Sequence, residues 1–185
     1  MKFWSEKIRN IKPYIPGEQP LDKKYIKLNT NENPYPPSPK VIEALRAETG
    51  ADVRLYPDPD ATELKKALAG FYHVKPGEVF VGNGSDEVLA FCFPAFFGPN
   101  DTISFPEITY SFYPVYADLF GVRYVTVLMN EDFTFNPEGF QPGMKGILLA
   151  NPNAPTGISL GLDAVEKLLN QFPGTLIIVD EAHKM

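Results

Sequence analysis

Short apolar runs alternate with segments of helical periodicity over residues 61–185. The first run, VFV at 79–81, predicts a strand that leads through a glycine turn into a helix. Four later runs predict further strands, separated by helical or loop segments. This alternation is typical of an α/β fold with a mostly parallel sheet sandwiched by helices. The later predicted strands are 101–106, 122–129, 146–151 and 175–182, and the predicted helices that flank them include 61–72, 109–121 and 162–172.

Residues 1–60 lack this alternation. Prolines interrupt the stretches IKPYIPGEQP and NENPYPPSPK, and the one short helical pattern is VIEALRAE at 41–48. A segment of this kind cannot bury a core by itself. We therefore expect two parts: an irregular N-terminal arm with one short helix over 1–60, and a partial α/β domain over 61–185.

Composition narrows the possible partners and the compartment. The chain has 185 residues, 17 Lys plus Arg against 23 Asp plus Glu, and a net charge of −6, so it lacks the positive charge that nucleic-acid binding requires. No apolar run approaches the length of a membrane span. The single cysteine, Cys92, cannot form an internal disulfide. We expect a cytoplasmic protein that binds neither nucleic acid nor membrane.

Three turns are expected at the carboxyl ends of predicted strands, where ligands collect in parallel sheets. The turn GNGSDE at 82–87 opens a helix and can present backbone N–H groups to an anion, although Ser85 or Asp86 can also be a simple N-cap. The loop NPNAPTG at 151–157 is rigid, and a minority of such loops are purely structural. Asp180 ends the fifth predicted strand, and we expect the three turns to face one pocket.

Asp180 needs a partner because a carboxylate at the end of a buried strand is costly without a cation or a hydrogen-bond donor. Magnesium, a buried arginine and a protonated ring nitrogen all qualify. The letters DEAH at 180–183 match the magnesium box of one group of helicases, but the phosphate loop G-x-x-x-x-G-K-[ST] is missing. An aspartate that only caps the strand end is the structural alternative.

Several motifs in this order resemble the fold type I aminotransferases that depend on pyridoxal phosphate. They are LNTNENPYPPSP, RLYPDP, GNGSDE, TYSFY, and the Asn/Pro loop together with VDEA. The N-terminal motifs resemble the histidinol-phosphate aminotransferase branch most. The resemblance runs from about residue 8 to the last residue and corresponds to the N-terminal half of such enzymes. It implies that 61–185 is the first part of the cofactor-binding large domain.

The resemblance implies a role for each residue that matches a family motif. The aspartate at the strand end pairs with the protonated pyridine nitrogen of the cofactor, and the ring then serves as an electron sink. The glycine turn holds the cofactor phosphate, and a tyrosine lies against the ring. The cofactor-binding residues implied in this way are Gly84, Ser85, Asp86, Tyr110, Asn153, Asp180 and His183.

The resemblance also implies a homo-oligomer, expected to be a dimer. Tyr56 matches a tyrosine that reaches the cofactor phosphate of the neighbouring subunit, while Tyr14 and Asn33 match an arm over the substrate. The implied activity is amino transfer between histidinol phosphate and 2-oxoglutarate in histidine biosynthesis. Enzymes acting on aromatic amino acids or threonine phosphate look similar in this half, so they remain alternatives.

Three departures bear on the mechanism. Ala154 stands where the family commonly has an asparagine, and His183 stands where it has a tyrosine. The third is that the family's Schiff-base lysine belongs to a part absent from this chain, and neither Lys145 nor Lys184 is placed to replace it. We therefore expect no catalytic residue here and no transamination by the chain alone. A shortened gene, one half of a split enzyme, and a non-catalytic remnant that binds cofactor or forms dimers all stay open.

Overall fold

A computed structural model describes residues 3–11, 18, 22, 25–30 and 32–182. Two units emerge from the contacts between Cα atoms, one formed by Met1–Tyr14 with Gly82–Met185 and the other by Ile15–Val81. The boundary that the sequence suggests at residue 60 stays a prediction. Over the described residues, no helix combines the length and apolar character that a membrane crossing requires.

The unit of residues 15–81 contains α2 (Pro39–Glu48) and α3 (Thr62–Tyr72), with short 3₁₀ turns at Ala51–Arg54 and Pro76–Glu78. Helix α2 starts where the sequence supplies a serine cap followed by proline, and Ser38 Oγ accepts from the Val41 amide at 3.4 Å. The start of α3 is held by Asp58. Its carboxylate accepts from the Thr62 amide at 2.7 Å, and contacts with Thr62 lower the pKa of that carboxyl.

The strand predicted at 79–81 is wrong. Val79 is extended, with φ −110° and ψ 121°, but residues 79–81 pair with no strand in the described part of the chain. Phe80 is 62% exposed, so this apolar run does not occupy the buried position that its composition indicates. Apolar residues alone cannot specify a strand, because a strand also requires a neighbouring strand with which to form hydrogen bonds.

The unit that includes residues 82–182 is built on a parallel sheet. Over the described residues the sheet has four strands in the order β2-β1-β3-β4, and the predicted mostly parallel α/β fold is confirmed. The strands are β1 (Thr102–Pro106), β2 (Arg123–Val127), β3 (Gly146–Ala150) and β4 (Leu176–Asp180), and the helices are α1 (Glu6–Asn10), α4 (Gly84–Phe96), α5 (Phe112–Phe120) and α6 (Leu162–Gln171).

Helices cover both faces of this sheet. On one face, side chains of α4 and α5 pack with Leu148 and Ala150 of β3. On the other face, α6 packs through Leu168 against Ile147 and Leu149. Successive side chains of a strand point to opposite faces, so the run GILLA supplies apolar groups to both cores. This explains why β3 is buried along its whole length.

Helix α5 begins at Phe112, three residues later than the predicted start at 109. The residues before it form a turn in which the Tyr113 amide donates to the Tyr110 carbonyl at 3.2 Å. That turn separates the end of β1 from the helix. The helix ends at Phe120. Gly121 follows as its C-cap and has φ +70°, the left-handed conformation that glycine favours.

Gly146 provides a test of the packing between β3 and α4. A Cβ added at Gly146 lies 2.5 Å from Cε1 and 2.6 Å from Cζ of Phe97, whose ring is buried. We expect Gly146→Ala to lower the free energy of unfolding by about 1–3 kcal/mol, because a buried aromatic ring must move. Urea denaturation, monitored by circular dichroism, measures this change in the free energy of unfolding.

Gly174→Ala is the matched control, since a Cβ at Gly174 meets no atom within 4 Å. Its free energy of unfolding should stay within about 0.5 kcal/mol of that of the parent. Equal midpoints for the two variants would contradict the close approach of β3 to Phe97.

Candidate functional site

The ends of β3 and β4 lie side by side at the carboxyl edge of the sheet. Ala150 pairs with Asp180 in the parallel register, and the Asn151 amide donates to the Asp180 carbonyl at 2.8 Å. The backbone of Asp180 is therefore fixed by the neighbouring strand. Asp180 is the last residue of β4, as the sequence predicts, and its side chain is partly exposed.

Two neutral donors hold the Asp180 carboxylate. The Tyr113 hydroxyl donates to Oδ2 at 3.1 Å, and the Ala182 amide donates to Oδ1 at 3.1 Å. In the part of the chain that the structure describes, the ion pairs are Lys27–Glu32, Lys66–Glu63 and Lys167–Glu138, and none involves Asp180. Among described groups, the carboxylate is thus oriented but not neutralised by a cationic side chain.

Helix α5 and the turn before it connect Asp180 to the start of α4. The Tyr110 ring packs edge-on against the Tyr113 ring, with centroids 5.7 Å apart, and its hydroxyl donates to Asp86 Oδ1 at 2.6 Å. The Tyr116 hydroxyl donates to the Asp86 carbonyl at 2.9 Å. A continuous set of contacts therefore runs from Asp86 through Tyr110 and Tyr113 to Asp180.

Burial keeps two of these tyrosines in the neutral, donating form. The pKa of Tyr113 is raised far above its ordinary value, first by burial and then by the charge of Asp180. Burial, followed by the charge of Asp86, raises the pKa of Tyr116 to about 12. Both hydroxyls therefore keep their protons at neutral pH.

The glycine turn forms the first turn of α4. Gly84 has φ +81°, and the Asn83 amide donates to Glu87 Oε2 at 2.6 Å. The Ser85 and Asp86 amides belong to the first turn of the helix, where N–H groups have no partner within the helix. Among the described contacts, none is made by these two amides. The positive end of the helix dipole lies at the same position.

Asn153 is buried within the loop that follows β3. Its Nδ2 donates to the Ile108 carbonyl at 2.9 Å and to Thr156 Oγ1 at 3.1 Å, while its Oδ1 accepts from Thr109 Oγ1 at 2.8 Å. These contacts tie the loop to the segment just before Tyr110. The described contacts of the Asn153 side chain are all with other protein groups, so its role toward a cofactor stays a prediction.

Four predicted residues remain to be accounted for: Tyr56, Asn33, Tyr14 and His183. Tyr56 and Asn33 belong to the other unit, where Tyr56 is fully exposed and Asn33 Oδ1 accepts from the Tyr35 amide at 2.9 Å. Tyr14 and His183 lie outside the described residues. The residues brought together are thus Asp86, Tyr110 and Asp180, with the turn that contains Gly84 and Ser85.

Sequence reasoning missed Tyr113 and Tyr116. A signal was present, because tyrosines at 110, 113 and 116 follow the three-residue spacing that places side chains on one face of a helix. Thr109 was also missed. Its contact spans 44 positions along the chain, so no local pattern indicates it.

Comparison with known proteins agrees with this geometry. The family model for aminotransferase class I and II matches residues 23–185. This chain belongs to that aminotransferase family. The predicted resemblance to the N-terminal half of such enzymes is confirmed. The aminotransferase match also covers Gly84, Tyr110 and Asp180.

Several similar curated relatives are histidinol-phosphate aminotransferases. Histidinol-phosphate aminotransferases of Clostridium botulinum (strain 657 / Type Ba4) and Clostridium acetobutylicum are each 50% identical over 182 residues, which is 98% of this chain. One from Pseudomonas syringae is 51% identical over the same length. The chain spans about half the length of these relatives, 51–52%.

Solved aminotransferases have the same fold. The structure of histidinol-phosphate aminotransferase from Sinorhizobium meliloti in complex with pyridoxal-5'-phosphate matches with a TM-score of 0.76 and 28% identity, covering 83% of this chain and 43% of that one. A Thermus thermophilus aspartate aminotransferase mutant matches with a TM-score of 0.79 and 24% identity, covering 98% and 51%. The predicted first part of the fold type I large domain is confirmed.

Proposed function

We propose that this chain is the N-terminal half of a histidinol-phosphate aminotransferase and supplies half of a pyridoxal phosphate site. The observation that carries the proposal is the set of contacts from the first turn of α4 to Asp180. In the parent enzyme the reaction is amino transfer between histidinol phosphate and 2-oxoglutarate in histidine biosynthesis, in the cytoplasm. The names of relatives at about 50% identity support this substrate.

The residues present fit pyridoxal phosphate by their chemistry. The first-turn amides of Ser85 and Asp86 suit a phosphate. An Asp180 carboxylate whose donors among the described residues are neutral suits a protonated ring nitrogen. The Tyr110 ring lies between these two ends, with its hydroxyl on Asp86 and its ring against Tyr113. When bound, the cofactor supplies a protonated ring that withdraws electrons from the substrate carbon. Asp180 would hold the proton on that ring nitrogen.

Four further residues are assigned by resemblance. Asn33 and Tyr14 are assigned to the arm over the substrate, and His183 is assigned to cofactor binding. Tyr56 serves the phosphate site of the neighbouring subunit, so the complete site requires a dimer. The full exposure of the Tyr56 side chain supports this role, because a residue that reaches into a partner must project from its own unit.

The lysines of the sheet-bearing unit that the structure describes lie away from this site. Lys145 precedes β3, roughly 16 Å along the strands from the edge that carries Asp180. Lys167 Nζ lies 2.6 Å from Glu138 Oε1. Lys7 Nζ lies close to Gly121, just past the C-terminal end of α5, at 3.7 Å from the point where a Cβ added to that glycine would stand. Lys2, Lys12 and Lys184 lie outside the described residues. We propose that the chain alone does not transfer amino groups.

The role of Asp180 is tested by Asp180→Asn, which keeps the shape of the side chain and removes its charge. We expect pyridoxal phosphate to bind about tenfold or more weakly, because a charge-assisted hydrogen bond to the ring nitrogen is lost. Absorbance titration of the full chain measures the affinity.

Asp118→Asn is the control, since Asp118 is an exposed carboxylate on α5. It makes the same change of charge in the same unit and should bind like the parent. Equal affinity of the Asp180 variant and the parent would contradict the proposed site.

The absence of a cofactor-linked amine is tested by reduction with borohydride. After incubation with pyridoxal phosphate, we expect low labelling spread over several lysines, because no described lysine of this unit lies beside Asp180. Mass spectrometry locates the labels. Stoichiometric labelling of one lysine, together with turnover of histidinol phosphate and 2-oxoglutarate, would show that the chain is an enzyme by itself.

A second candidate is a non-catalytic protein that forms dimers, and exposed apolar side chains on α4 and α6 favour it. Phe91 and Phe96 are 52% and 50% exposed, and Leu162 is 84% exposed. Large exposed apolar groups of this kind mark association surfaces. We expect self-association at micromolar concentration in sedimentation equilibrium, and Leu162→Glu to weaken it if α6 takes part. A monodisperse monomer would contradict both the dimer and this candidate.

A further inference from the structure

We infer that Tyr113 is a positioning residue that orients the Asp180 carboxylate toward a cationic N–H group. The inference rests on the proposed function, which identifies that group as a protonated nitrogen heterocycle. Its evidence is the hydrogen bond from the Tyr113 hydroxyl to Asp180 Oδ2 and the burial of the tyrosine that makes it.

The Tyr113 ring cannot move away from the carboxylate. It is 0% exposed, and it packs against Phe105 with ring centroids 5.7 Å apart at 59°, as well as against Tyr110. Helix α5 fixes its backbone, and close packing leaves no space for another rotamer. The hydroxyl is therefore a stationary donor.

The Asp180 side chain, in contrast, has freedom that its backbone lacks. Strand pairing with Ala150 fixes the main chain, but rotation about the side-chain bonds decides where the two oxygens point. The Tyr113 hydroxyl holds Oδ2, and the Ala182 amide holds Oδ1. Each carboxylate oxygen has two lone pairs, so one on each oxygen remains for a ligand.

A tyrosine suits this position better than a lysine or an arginine. A cationic side chain at 113 would neutralise the carboxylate and compete with the positive charge of the ligand. A neutral hydroxyl fixes the direction of the carboxylate and leaves its charge available. Burial and the nearby charge of Asp180 raise the pKa of Tyr113, so the hydroxyl stays neutral and keeps donating.

The first measurement needs no ligand. Crystal structures of the full chain and of Tyr113→Phe show the carboxylate directly, and the phenylalanine keeps the buried ring. We expect the Asp180 carboxylate of the variant to rotate by about 30° or more, or to occupy more than one rotamer. An unchanged orientation, held by the Ala182 amide alone, overturns the inference.

The second measurement uses two probes that cannot react with lysines. They are pyridoxine 5'-phosphate and its analogue with carbon in place of the ring nitrogen. Tyr113→Phe should weaken binding of the nitrogen compound about three- to tenfold and change binding of the carbon analogue less than twofold. In an Asp180→Asn background the loss should vanish, since the hydroxyl acts through the carboxylate.

Tyr124→Phe is the matched control. Its ring stacks on the same Phe105 with centroids 5.1 Å apart, and the described contacts include none between Tyr124 and Asp180. It should leave the carboxylate orientation and the discrimination between the probes unchanged. Equal losses for both probes in Tyr113→Phe overturn the inference. If the parent binds neither probe, the proposed function fails, and the crystal structures alone decide the role of Tyr113.

Discussion

Burial of β3 on both faces is the constraint on which the sheet-bearing unit depends. Because Ile147 and Leu149 face one core while Leu148 and Ala150 face the other, helices must cover both sides. Gly146 allows the Phe97 ring to approach the strand closely. The parallel pairing of β3 with β4 then delivers Asp180 to the same edge as the loop after β3.

The packing of helices on this sheet determines the geometry of the candidate site around Asp180 and Asp86. Helix α5 packs on one face of the sheet and carries Tyr113 and Tyr116, which contact Asp180 and Asp86 respectively. One helix thus sets the relation between a strand end and a helix start that are far apart in sequence. Because Tyr113 is tightly packed in the core, its hydroxyl has a fixed position and orients the partly exposed Asp180 carboxylate.

Much of this was predictable from local patterns. The apolar runs at 146–151 and 175–182 predicted strands that the structure contains, and the position of Asp180 at a strand end followed directly. The glycine turn before α4 was also evident. Motif resemblance then indicated the family, because several separate motifs occur in a fixed order.

The failures have physical causes. The run at 79–81 was predicted as a strand because its residues are apolar. A strand also needs a neighbouring strand to pair with, and the local sequence does not indicate whether one is present. The roles of Tyr113 and Asn153 depend on contacts across 67 and 45 positions. Such contacts exist only once the sheet has formed, so periodicity could indicate the face of α5 but not the partner of each hydroxyl.

The central claim is that the amides at the start of α4 and the Asp180 carboxylate form the two ends of one ligand site. Nuclear magnetic resonance of the full chain with ¹⁵N-labelled pyridoxine 5'-phosphate tests it most directly. The account predicts that the Ser85, Asp86 and Ala182 amides shift together, and that the bound ring nitrogen carries a proton at a pH where the free compound has lost it. A neutral ring nitrogen, or shifts confined to one end, would contradict the account.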